Sequence, residues 1–301
     1  MQNQARTTLS STAIGYLAVL SATALWGTSG IFVKFVVDGS DVTPLALAFW
    51  RDLFTFVVLL TIAGLGRRDH LRVQRRDLRW LVALGGSLGI FHVFWNWGVS
   101  LNGAAVATVQ QAVMPAIVAV VARLVWREAL TWVKILAIAL TFVGTVYVSG
   151  LNALGQAEVT QTGALVGLAV PATYAAWNLL SKKVRGDYGA LTLLTYAFGF
   201  GALVLLPFQV FTPQPWPVPP ITWLYFAGLI GLSTTLGFMI YTFGLGFVPA
   251  SVASILAMVE IPVVAVYSYI LLSERLTPDQ IIGAVLVIGG VLLLTLGKKG
   301  N

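Results

Sequence analysis

The chain has no cysteine in its 301 residues. Disulfides, thiolate metal sites and cysteine nucleophiles are therefore excluded. Charge is also scarce: Asp, Glu, Lys and Arg make up 10% of the residues, against about 25% in an ordinary soluble domain. Histidine occurs only as His70 and His92, which cannot form a paired metal motif such as H-E-x-x-H. No G-x-x-x-x-G-K-[ST] segment is present to cradle a nucleotide. With these absences no resident metal or cofactor is expected. ATP-driven transport by this chain alone is excluded, and nothing in it reads as an enzyme.

What is abundant is apolar surface, with hydrophobic residues at 58%. A bilayer-spanning helix needs about 20 consecutive, mostly apolar residues. Ten such stretches fit, at roughly 14–36, 44–64, 80–98, 104–125, 132–149, 163–181, 190–211, 221–244, 249–272 and 279–297. They use nearly the whole chain. The expected fold class is an all-α polytopic membrane protein with ten transmembrane helices. The first stretch is longer than a signal h-region and lacks a small-residue cleavage site, so it reads as a retained helix.

The net charge of +7 is unevenly distributed. With the N-terminus in the cytoplasm, 15 of the 18 Lys and Arg residues fall inside, leaving Lys34, Arg51 and Arg275 outside. The positive-inside rule then predicts cytoplasmic N- and C-termini in the cytoplasmic (inner) membrane. The basic 67–79 loop suits anionic lipid headgroups, so no nucleic-acid partner is invoked. A homodimer is compatible with the apolar faces, since lipid and a second copy make similar demands on them.

The chain also repeats itself. Ala105-Val106-Ala107 leads to Pro115, Glu128, Thr131 and Gly144; Ser251-Val252-Ala253 leads to Pro262, Glu274, Thr277 and Gly290. Most positions are offset by 146, and Trp26 with Trp177 by 151. Two five-helix repeats result, 14–149 and 163–297, joined by a 150–162 linker. Because five is odd, the second copy must insert upside down, giving an inverted repeat about an axis in the membrane plane. Such an axis makes alternating access available. Thr131 and Thr277 are expected helix N-caps, with Glu128 and Glu274 fixing the turns before them.

Ala24-Leu25-Trp26-Gly27 followed by Lys34, then Arg51, then Pro115…Glu128 and Pro262…Glu274, resemble the signature of the EamA family within the drug/metabolite transporter superfamily. The resemblance covers 14–297. It implies ten helices, cytoplasmic termini, and a central cavity lined mainly by helices one, three, four, six, eight and nine. It also implies export of amino acids and related metabolites or movement of other small solutes, without choosing among them. The second copy departs from the pattern, reading Ala176-Trp177-Asn178 in place of Trp-Gly and Ala197 where the first has Arg51.

Several residues are candidates for chemistry. Glu260 lies within helix nine, where a carboxylate must be protonated, paired or open to a wet cavity. It is the first candidate for charge recognition or proton coupling. His92 is the second, able to bind a substrate carboxylate, relay a proton, or simply join two helices. Asn96 shares its helix face. Gln110 and Gln111 precede Pro115, whose ring frees a backbone carbonyl; one of the two is expected to face the cavity, with Ser254 as a polar group at the matching place in the second copy. Trp26, Tyr174, Trp177 and Tyr241 are candidate aromatic walls for a cationic or planar substrate. Arg51 is expected to pair with Asp41 or Asp38, or to snorkel outward.

The expected function is secondary transport by alternating access, exporting a small-molecule substrate such as an amino acid. Two alternatives stand beside it: export of lipophilic cations or drugs, and an intramembrane enzyme acting on a lipid-linked substrate.

Overall fold

The computed structural model describes residues 10–66, 71–150, 161–212, 216–271 and 276–296. Within them, the side chains of Pro44, Asn96, Val99, Ser100, 102–106 and Ser268 lie outside the description. All regular structure among the described residues is helical: α1 (Ser11–Gly27), α2 (Ser29–Asp38), α3 (Pro44–Leu65), α4 (Leu78–Gln111), α5 (Met114–Trp126), α6 (Trp132–Val148), α7 (Gln161–Arg185), α8 (Ala190–Leu205), α9 (Pro220–Gly228), α10 (Gly237–Leu245), α11 (Ala250–Ala257), α12 (Glu260–Leu271) and α13 (Pro278–Leu296). A π-helical segment, Leu229–Leu236, joins α9 to α10. Nine helical stretches are long and apolar enough to cross a bilayer, and α6 is a shorter apolar tenth.

Interruptions fall where the sequence supplies a local competitor for the helix ladder. At Thr28 the side chain donates to Leu25 O at 2.7 Å and meets Ser233 Oγ at 2.9 Å, ending α1 and starting α2. Proline lacks an N–H, and its ring collides with the carbonyl four residues back. For Pro115 that carbonyl belongs to Gln111, and for Pro262 to Met258. The chain breaks there in both copies: α4 ends at Gln111 and α5 starts at Met114; α11 ends at Ala257 and α12 starts at Glu260. The two half-helices start 146 residues apart (114 to 260).

The long α4 is not straight. Gly98 lies against Val166 and Val170, yet the Gln110 side chain lies against Gly167. Twelve residues of straight helix would separate Gly98 from Gln110 by about 18 Å, so the chain doubles back between them. It enters with Trp80 beneath the Lys183 ammonium and returns towards Glu128, whose carboxylate meets the start of α11. The spans 75–95 and 107–126 are thus separate crossings.

Glycine permits the closest packing. A Cβ on Gly144 of α6 would come within 2.6 Å of the Gly283 carbonyl on α13. Gly290 lies correspondingly close to Ala137 and Thr141. Gly290, Gly283 and Val287 follow Gly144, Ala137 and Thr141 by 146 residues, and α6 and α13 run antiparallel. A second set repeats the relation: Gly98 meets Val166 and Val170, while Gly244 meets Gly15 and Val19. The expected N-caps are present. Thr131 Oγ1 accepts from Lys134 N at 3.3 Å, and Thr277 exchanges bonds with Gln280 in a capping box.

Candidate functional site

Helices α1, α7 and α10, with Phe91 of α4, build a buried aromatic cluster. Trp26 lies 6.4 Å from Trp177 and 4.7 Å from Tyr241, ring centre to ring centre. Trp177 lies 5.6 Å from Tyr241 and 5.7 Å from Tyr174, and Tyr174 stacks on Phe91 at 4.6 Å. The candidate aromatics therefore do come together. In this state they do not wall an open cavity: Trp177 and Tyr241 are fully buried, Trp26 is 4% exposed and Tyr174 5%. The reason is the rings' own size, since Phe238 fills the space between Trp26 and Trp177. Asn178 donates to the Tyr241 hydroxyl. The Asn178 carbonyl oxygen and the indole nitrogens of Trp26 and Trp177 are buried without a hydrogen-bond partner among the described residues.

Glu260 is the first residue of α12, beside this cluster. It keeps partial exposure, while Tyr174 of α7 and Arg51 of α3 lie within electrostatic reach. Arg51 is also partly exposed, and its Nε donates to Thr234 Oγ1 of the π-helical segment at 2.9 Å. It neither snorkels outward nor pairs with Asp38 or Asp41; Asp38 is held by Lys34 at 3.2 Å. The π-helix explains the difference. Its wider turn lets Thr234 bond Leu229 O, five residues back, and presents the hydroxyl oxygen to α3. Arg51 thus joins the site facing Glu260, a role the sequence-based expectation did not give it.

His92 is 4% exposed and pairs with Asp52 of α3, its Nδ1 lying 3.0 and 3.1 Å from the two carboxylate oxygens. Asp52 was likewise not among the candidates. One signal pointed to it: Asp52 and His92 are both ionisable residues within apolar helices, and such groups pair with one another. Ser254 is buried and spends its hydroxyl on Ser251 O of its own helix at 3.0 Å. Gln110 and Gln111 are both partly exposed, and Gln110 fills the space left by Gly167 on α7. The Asn96 side chain lies outside the described residues. No cluster of metal-ligating side chains occurs among the described residues.

An EamA-like transporter family model matches residues 13–150 and again 161–296. The chain belongs to the EamA-like transporter family. It is a multi-pass membrane transporter, and the family model matches it twice along its length. Relatives agree on the class. The chain is 26% identical over 295 residues to YicL, an inner membrane transporter of Salmonella typhimurium, covering 97% of this chain and 98% of that one. It is 28% identical over 293 residues to a protein of Streptantibioticus cattleyicolor named a probable terminal-alkyne amino-acid exporter, covering 94% of each. YoaV, a transporter of Bacillus subtilis, is 25% identical over 285 residues. One crystal structure shares the fold with a TM-score of 0.79 at 20% identity, over 96% of this chain and 97% of that one.

Proposed function

We propose that this EamA-like transporter exports small zwitterionic metabolites, amino acids first, by alternating access across the cytoplasmic membrane. The carrying observation is that Arg51 of α3 and Glu260 of α12, two oppositely charged and partly exposed groups, lie within electrostatic reach of each other. A zwitterion offers a carboxylate to the guanidinium and an ammonium to the carboxylate. Trp26, Tyr174, Trp177 and Tyr241 sit beside them, with Gln110 and Gln111 at the break before Pro115 as further polar candidates. His92 is a proton-coupling candidate together with Glu260. An amino-acid exporter among the relatives supports the cargo and the direction.

The architecture in this proposal is two inverted five-helix repeats, 14–149 and 163–297, with both termini cytoplasmic. Reciprocal contacts support it: Gly144 with Gly283 and Gly290 with Ala137 is the exchange a two-fold axis produces. Because α6 and α13 run antiparallel, that axis lies across them, in the membrane plane. The 15-to-3 division of Lys and Arg supports the orientation. Lipids are the expected partners, and a homodimer is compatible with the apolar exterior.

A second reading, export of lipophilic cations, is favoured by the same carboxylate lying next to aromatic faces. One experiment separates the two. The purified chain in liposomes is offered a panel of amino acids and organic cations, with and without a pH gradient. Uptake of zwitterions supports the first reading, and uptake of cations alone supports the second. No flux, together with turnover of a lipid substrate in detergent, sinks both.

A further inference from the structure

Asp52 and His92 form the least exposed ion pair among the described residues, with side-chain exposures of 0% and 5%. Taking a carboxylate out of water costs several kcal/mol. Packing does not require it here, because both helices it joins already meet α8 closely, α4 through Gly85, Gly89 and Gly201 and α3 through Phe56 on Gly199. Gly201 also clears space for the carboxylate: a Cβ there would stand 3.1 Å from Asp52 Oδ2. The pair continues into the site on two sides. Arg51 is the chain neighbour of Asp52 and lies within electrostatic reach of both Asp52 and Glu260. Phe91, next to His92, stacks on Tyr174.

We propose that Asp52 and His92 are the proton-carrying site of this transporter, distinct from Glu260, and that they act on Glu260 through Arg51. A carboxylate only accepts, so the Nδ1–H of His92 stays donated to Asp52 in both charge states, and the exchanging proton binds at Nε2. With that proton bound, Asp52 is balanced by imidazolium and the Arg51 guanidinium turns to Glu260, occupying it. With the proton lost, Asp52 draws Arg51 off Glu260, which is left to the ammonium of a substrate, while the remaining guanidinium N–H donors serve the substrate carboxylate. Proton and substrate thus bind alternately, which makes their exchange across the membrane obligatory. The other groups facing the pair do not supply this charge. Tyr174 is the nearest titratable side chain of α7, whose Lys182, Lys183 and Arg185 lie at its far end; α8 carries only Tyr196, which is bonded to Leu71 O at 2.8 Å.

The inference rests on the transport reading with Glu260 as the cation site. The full chain in liposomes, offered the amino-acid panel, gives two readouts. Counterflow at equal pH needs no net proton movement, whereas accumulation under a pH gradient does. In Asp52→Asn and His92→Gln the ratio of gradient-driven accumulation to counterflow is expected to fall about tenfold, within the usual range of coupling energies. A wild-type ratio in both variants overturns the inference and leaves the transport reading standing. Absence of both fluxes in the unaltered chain overturns the transport reading and the inference with it. Should the variants fail to fold, ring-nitrogen NMR of the unaltered protein decides, with only two histidines to resolve. At constant pH, adding a saturating zwitterion is expected to shift the His92 ring signals to the neutral form, because the proposal has substrate and proton bind alternately. Ring signals unmoved by substrate overturn the proposal.

Discussion

Glu128 of the first half holds Ser251 of the second: its carboxylate accepts the backbone N–H of Ser251 at 3.4 Å and the serine hydroxyl as well. The neighbouring Ala250 N–H adds a bond at 3.0 Å, and Lys134 donates to the Ser251 hydroxyl at 2.8 Å. A carboxylate at a helix N-terminus satisfies otherwise orphaned donors and favours the helix dipole. The sequence-based role for Glu128, fixing its own turn, is thereby extended: it ties the two halves together where α11 begins.

Removing this tie should open that end of the molecule. Charge-assisted hydrogen bonds contribute about 1.5–3 kcal/mol each. Glu128→Ala is expected to raise the open population by roughly tenfold, about 1.4 kcal/mol. The absence of native cysteines makes the measurement direct. A cysteine replacing buried Ser254, one turn into α11, should react with a maleimide about tenfold faster in the Glu128→Ala background. Equal rates would mean that the contact does not latch the halves.

Arg51 and Glu260 should show energetic coupling. Each single neutralisation strands the other charge inside the bundle, which is costly. The double variant Arg51→Gln, Glu260→Gln is therefore expected to be more stable than the sum of the singles by about 1–3 kcal/mol. Thermal unfolding in detergent of all four proteins reads this. Strict additivity would place the two charges in separate environments. Glu260→Gln alone should also weaken binding of a zwitterion by at least about tenfold in counterflow titrations.

Two glycines of the α6–α13 region should respond oppositely to the same change. Alanine gains helix propensity of about 1 kcal/mol over glycine. At Gly289 a Cβ meets nothing within 4 Å, so Gly289→Ala should be neutral or mildly stabilising. At Gly144 the Cβ would lie 2.6 Å from a backbone carbonyl that has no rotamer to escape into. Gly144→Ala is expected to cost about 1–3 kcal/mol through overpacking. A melting temperature equal to that of the unaltered protein would show that α6 and α13 sit further apart.

The capping box offers a smaller test. Thr277→Ala removes both the side-chain acceptor for Gln280 N and the reason for Gln280 to fold back on Thr277 N. A loss of about 1 kcal/mol is expected in thermal unfolding. The same substitution at Thr131, whose cap lacks the reciprocal glutamine bond, should cost no more.

The apolar helices and the breaks before Pro115 and Pro262 were legible in the chain because they are local. Transfer to lipid depends on the run of apolar residues, and a proline acts on the carbonyl four positions behind it. The 146-residue offset was legible too, because it needs no coordinates. Who meets whom was not. Asp52 found His92 forty positions away in the chain, Arg51 found Thr234 through a π-turn, and Glu128 crossed to Ser251. Glu260 stood out at once as a charge that lipid would not tolerate. Only the tertiary fold decided that Arg51 of α3 and Tyr174 of α7 come within electrostatic reach of it. A lone polar residue in a membrane helix declares that it needs a partner; helix adjacency, which no local pattern encodes, chooses which one.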